Sequence, residues 1–126
     1  MPKTNIVLYR ENDGSVPLLE WLDGLPHKPR AKCIARLQRL AELGYELRRP
    51  DADLLRDGVY ELRVTFRRQN YRMLYFFHGK VAAVVSHGIL KERVVPAEEI
   101  ELALKRMREF EANPKVHTFE TEVGNG

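Results

Sequence analysis

Within residues 57–93, DGVYELRVTFRRQNYRMLYFFHGKVAAVVSHGILKER, two arginines and a histidine (Arg63, Arg72 and His87) recur at spacings that strands can bring together. A guanidinium is a planar fork that takes two oxygens of a phosphate or carboxylate at once. An imidazole, with a reference pKa of about 6.5, gives or takes a proton near neutrality. Such groups together could bind a phosphate-type anion and move a proton beside it. The same residues also have a structural reading. In that reading the arginines pair with Glu61 or Glu92, and the histidine is hydrogen-bonded near a strand end.

Their placement depends on the strands that carry them. Three runs rich in β-branched and aromatic residues, 59–66, 71–77 and 81–89, are separated by Arg67-Arg68-Gln69-Asn70 and by His78-Gly79-Lys80. This pattern predicts two consecutive hairpins, hence a three-stranded antiparallel meander. A four-residue first loop sets Phe66 opposite Tyr71, Thr65 opposite Arg72 and Arg63 opposite Leu74. Side chains alternate between faces, so Arg63, Thr65 and Arg72 share one face, with Glu61 as a charge partner. Tyr60, Leu62, Val64, Met73, Tyr75 and Phe77 share the other. A two-residue second turn adds Val85, His87 and Ile89 to the arginine face. A slip of one residue in either register would undo this. Arg72, beside Leu74 and Phe76, is expected to hold its charged head toward solvent.

The 126 residues, 44% hydrophobic and 31% charged, describe one soluble globular domain. No apolar run is long enough to cross a bilayer. MPKTNIVLYREN carries no apolar signal core, so the expected location is the cytoplasm. Cys33 is the only cysteine, which excludes an internal disulfide and leaves no zinc-cluster spacing. The net charge is +3, but residues 48–93 hold ten basic side chains against five acidic ones. That imbalance suits a polyanionic partner, although a solvated surface of mixed charge also accounts for it.

Around the meander, residues 5–9 read as an added edge strand. Ser15 is a candidate cap for a helix with Leu18, Trp21, Leu22 and Leu25 on one face, Pro17 in its first turn, and Gly24 and Pro26 at its end. A second helix is expected over 28–43, with Ile34, Leu37, Leu40 and Ala41 inward, Arg30, Lys32, Arg36 and Arg39 outward, and Gly44 as its stop. Residues 45–56 read as a loop. A third helix starts at Pro96 with Glu98 and Glu99 in its first turn, and buries Ile100, Ala103, Leu104, Met107 and Phe110. The domain is expected to span 1–113, followed by a flexible tail over 114–126. The fold class is α+β in the order β-α-α-β-β-β-α: a small antiparallel sheet, a helical hairpin on one face, and a C-terminal helix at an edge or on the other side.

That order, with DGVYELR at 57–63, YRMLYFF at 71–77, HGILKE at 87–92 and the run from Pro96 through Glu98-Glu99-Ile100 to Ala103, resembles the RelE/ParE toxin superfamily. The likeness is closest to its phage-derived, HigB-like branch. The resemblance implies a RelE-like fold and a cytoplasmic toxin of a type II toxin–antitoxin pair. Such a toxin is a metal-independent endoribonuclease that cuts mRNA on the ribosome and inhibits translation. It needs no cofactor, and an antitoxin, expected to be a helix-turn-helix protein, restrains it. By position, Arg72 matches a phosphate-binding arginine of the family. Arg63 matches a basic position in the preceding strand, and Lys91 with Arg93 matches a basic cluster after the last strand. The implied catalytic set is Arg72, Arg63, Lys91 and His87, with Arg67, Arg68, Arg93 and Tyr60 as RNA contacts. Tyr60 also reads as a core residue. Glu61 departs from relatives that are basic there, and the C-terminal part lacks the tyrosine that some relatives use. Two other readings share the fold: a ParE-like poison that binds gyrase, and a non-catalytic binding module.

Overall fold

A computed structural model describes residues 3–80, 82–90 and 93–120. The first two helices form as their spacing predicts. Helix α1 (Pro17–Asp23) opens on proline and buries Leu18 and Leu22; α2 (His27–Leu43) buries Cys33, Leu37, Leu40 and Ala41. Ser15 does not cap α1. Its hydroxyl donates to Asp13 at 2.7 Å and Val16 takes the cap position. Gly44 ends α2 with φ +53°, where a Cβ would lie 2.4 Å from the Thr4 hydroxyl.

The sheet has six strands in the order β2-β3-β4-β5-β1-β6. These are β1 (Asn5–Tyr9), β2 (Ala52–Arg56), β3 (Val59–Phe66), β4 (Gln69–His78), β5 (Ala82–Leu90) and β6 (Thr118–Glu120). β1 runs parallel to β5, and every other pairing is antiparallel. The helical hairpin covers one face through Leu62, Val64, Tyr71, Met73, Tyr75 and Val85. Helix α3 (Ala97–Ala112) covers the other, over Val59, Leu74 and Ile89 and then over Phe76, Val84 and Tyr9. The class is α+β, and the architecture fits the expected RelE-like fold.

Three expectations change. Residues 52–56, read as loop, form β2, which pairs with β3 through a bulge at Leu54/Arg56 that blurs the alternating pattern. Residues 114–120, read as tail, form the short helix α4 (Pro114–His117) and then β6. β1 is therefore interior, with β6 outside it. The last turn is fastened from afar. His117 stacks on Tyr9 with ring centroids 4.9 Å apart and donates to the Arg10 carbonyl, and Arg10 donates to the carbonyls of Lys115 and Val116.

The hairpin registers also differ. Arg67 and Arg68, both at positive φ (50° and 69°), close a two-residue turn with Phe66 opposite Gln69. Relative to the expected four-residue loop this is a shift of two positions, so each side chain keeps its face. In the second hairpin His78 pairs with Ala82, and a register shift at Leu74/Tyr75 follows, so that Leu74 pairs with His87 while Tyr75 pairs with Val85. His87 and Ile89 thus share the arginine face as expected, whereas Val85 turns to the hairpin core. Beside them Gly88 lies under Trp21: a Cβ there would meet the indole at 2.2 Å.

Candidate phosphate-binding cleft

Arg63 and Arg72 are direct cross-strand partners. Their face is covered lower down by α3 but opens toward the hairpin tip. An open cleft of about 450 Å³ forms there between Arg36, Pro50 and Asp51 on one side and Arg63, Thr65, Asn70 and Arg72 on the other. Arg36 reaches it from α2. It donates to the Arg63 carbonyl and pairs with Asp51 at 3.0 Å, and Asp51 also holds Arg39 at 3.1 Å. Sequence spacing had set Arg36 on an outer helix face, and no local signal shows that it meets Arg63 of β3, 27 residues further along the chain.

The carboxylate between the two central arginines is Glu61, only 2% exposed. Its Oε2 accepts from Arg63 Nη2 at 3.0 Å. Its Oε1 lies 3.3 Å from Arg72 Nε, close enough for an ion pair but not aligned as a hydrogen bond. Asp53 adds a longer contact to Arg63 at 3.7 Å. A hydrogen bond from Arg49, reinforced by Arg63 nearby, holds Asp53 below the usual carboxylate range. Five guanidiniums (Arg36, Arg39, Arg49, Arg63, Arg72) thus meet three carboxylates (Asp51, Asp53, Glu61), and the cluster keeps a surplus of positive charge. The expectation that Arg72 points to solvent is corrected: its side chain is 12% exposed, drawn inward by Glu61.

Arg67 and Arg68 stand exposed at the turn, one residue pair beyond the Thr65–Asn70 pair that lines the cleft. Arg67 also lies over the Phe66 ring at 5.3 Å. Left-handed backbone is unfavourable for a non-glycine residue by about 1–2 kcal/mol, and this turn places two arginines in it. Arg93 is exposed beyond β5, while Lys91 falls outside the described residues. Tyr60 is not brought to the arginines. Being of the opposite parity on β3, it lies on the other sheet face, stacked on Tyr75 at 5.4 Å.

His87 shares the arginine face but lies beneath α3, 7% exposed and engaged on both ring nitrogens. Nε2 meets Glu99 at 3.0 Å and Nδ1 meets Ser86 Oγ at 2.7 Å. The consistent tautomer donates from Nε2 to the carboxylate and accepts the serine hydroxyl at Nδ1. Burial lowers its pKa, an effect that the Glu99 bond opposes and the nearby Arg106 charge assists. This is the setting of a residue that fastens a helix, not of a base open to substrate.

Chemically, the cleft can grip an anion with planar donors from two strands and a helix. A family model described as phage-derived protein Gp49-like (DUF891) matches residues 20–108, from α1 to α3, and takes in every residue of this cleft. No match was found among curated proteins.

Proposed function

Since this chain belongs to the Gp49-like phage-derived family, one of the RelE-like toxin families, and carries an open arginine cleft, we propose that it is a HigB-like endoribonuclease. In this reading it cuts mRNA on the ribosome, inhibits translation in the cytoplasm, and is restrained by a helix-turn-helix antitoxin. The observation that carries the reading is the direct opposition of Arg63 and Arg72 in an open cleft of about 450 Å³.

RNA brings its own nucleophile, the 2′-hydroxyl. Its proton passes to water as the oxygen attacks phosphorus, and the departing 5′-oxygen takes a proton up in turn. What the chain supplies is alignment and stabilisation of the extra charge on the phosphorane. Arg72 and Arg63 bind the non-bridging oxygens, and Arg36 braces the Arg63 backbone from behind. Their charges gain strength once the ribosome excludes water from the cleft. Arg67, Arg68 and Arg93, all exposed, meet flanking phosphates. Lys91 supports the leaving oxygen. His87 acts indirectly, by seating α3 against the sheet.

The test uses purified protein freed of antitoxin, added to translating ribosomes, with primer extension on the bound mRNA. Discrete cuts in the ribosomal A site are expected. Intact mRNA on ribosomes that bind the protein would overturn the nuclease reading, and inhibition of gyrase supercoiling without any RNA cleavage would replace it with the gyrase-poison one.

A further inference from the structure

Like charges placed directly opposite in a ladder repel, so Arg63 and Arg72 need an anion between them. Glu61 provides it, two residues before Arg63 on the same face and diagonal to Arg72. On the same face Val59, Leu74 (the cross-strand partner of Glu61) and Ile89 form an apolar cluster closed off by α3. One carboxylate serves two forks poorly. Glu61 Oε1, Arg63 Nε and Arg72 Nε are all buried without a hydrogen bond among the described residues. Arg63 keeps an aligned bond to Glu61 and a second carboxylate in Asp53, whereas the Arg72 link is the misaligned one.

We propose that Glu61 is an internal stand-in for phosphate: it holds Arg63 and Arg72 together in the free protein and releases Arg72 to a phosphodiester that enters the cleft. The inference rests on the phosphate-binding reading of those two arginines. A phosphodiester presents two non-bridging oxygens to the edge of a guanidinium, an acceptor geometry that Oε1 alone does not offer Arg72. The competition is unequal, because Glu61 is tethered and RNA in solution is not. A phosphodiester held against the cleft by other contacts gains effective concentration and wins Arg72. Glu61 is therefore a threshold that rejects free RNA and admits RNA presented in place.

The test is fluorescence anisotropy on the whole protein without ribosomes, using a labelled single-stranded oligoribonucleotide whose 2′-hydroxyls are methylated so that it cannot be cut. Glu61→Gln should bind it at least tenfold tighter than the parent, and adding Arg72→Ala to that variant should abolish the gain. Binding no tighter than the parent, or a gain that survives without Arg72, would overturn the proposal. Thermal melting supplies a second reading. Sodium sulfate should raise the melting temperature of Glu61→Gln more than that of the Glu61→Gln/Arg72→Ala pair, and equal rises would count against the stand-in role. Should Glu61→Gln fail to fold, Glu61→Asp withdraws the charge by one methylene and carries the same comparison. Tighter binding supports the inference and unchanged binding overturns it. Cleavage by Arg72→Ala on translating ribosomes separates the two claims. If that variant cuts as the parent does, the phosphate reading itself falls; if it is inactive while Glu61→Gln gains nothing, only the threshold falls.

Discussion

His87 of β5 and Glu99 of α3 are joined at 3.0 Å beneath the helix they hold in place. The bond belongs to a row of polar clamps along α3. Arg56 of β2 pairs with Glu101, Arg106 pairs with Glu11 at 3.0 Å and donates to Ser86, and the Tyr9 hydroxyl donates to Glu109 at 2.7 Å. Burial, then Glu109, raises the Tyr9 pKa well above the usual phenol range, so that clamp keeps its proton at any physiological pH. His87 is the clamp that titrates. Its pKa is lowered in the fold, so its contribution is complete above the unfolded value of about 6.5 and is lost as pH falls toward the folded one. Thermal melting of the parent should therefore drop more than that of His87→Gln between about pH 7.5 and about pH 5.5. Parallel losses in the two proteins would exclude His87 as the source.

Arg72→Ala should cut mRNA about 10²–10³-fold more slowly, as loss of one preorganised donor does elsewhere. Arg72→Lys should recover only part, because an ammonium lacks the paired contact. Stability falls too, by about 1–3 kcal/mol, since Glu61 is left buried with one partner fewer. Adding Glu61→Gln should return some of that loss. Melting curves for the single and double variants check it.

Gly88→Ala sets a methyl into the Trp21 indole. Overpacking of this kind costs about 1–3 kcal/mol. The loss should shrink when Trp21 is replaced by leucine in the same chain. Denaturant midpoints of the three proteins measure both effects.

A chain ending at Asn113 loses the strand that pairs with β1, the His117 stack on Tyr9 and the packing of Phe119 on the main core. A stability loss of about 2 kcal/mol or more should follow, on the scale of one buried aromatic side chain. Equal melting temperatures for the short and full chains would contradict the structural role given to this end.

Cys33 is fully buried, and burial raises its pKa to about 11. It should resist thiol reagents in the native protein and react only as fast as the fold opens. Labelling rates followed along a denaturant series test this.

Much of the cleft was legible in the sequence because strand geometry has a period of two. Arg63 and Arg72 had to share a face under any even register, and the two-position shift in the first hairpin left that intact. The apolar spacing of α1, α2 and α3 likewise marked their buried stripes, since 3.6-residue periodicity is local. Tertiary structure decided what depends on distant chain. The two-residue turn, built on arginines where asparagine and glycine are the usual signal, brought Arg63 directly opposite Arg72. The bulge beside Ser86 kept His87 on the arginine face, and α3 then buried it. Strands β2 and β6 are short, and their hydrogen bonds are made with strands that local pattern cannot name. Above all, the inward turn of Arg72 follows from Glu61, whose charge stays in a low-dielectric floor only because two guanidiniums meet it there. Sequence placed the charges on one side of a sheet, and packing set which of them face each other.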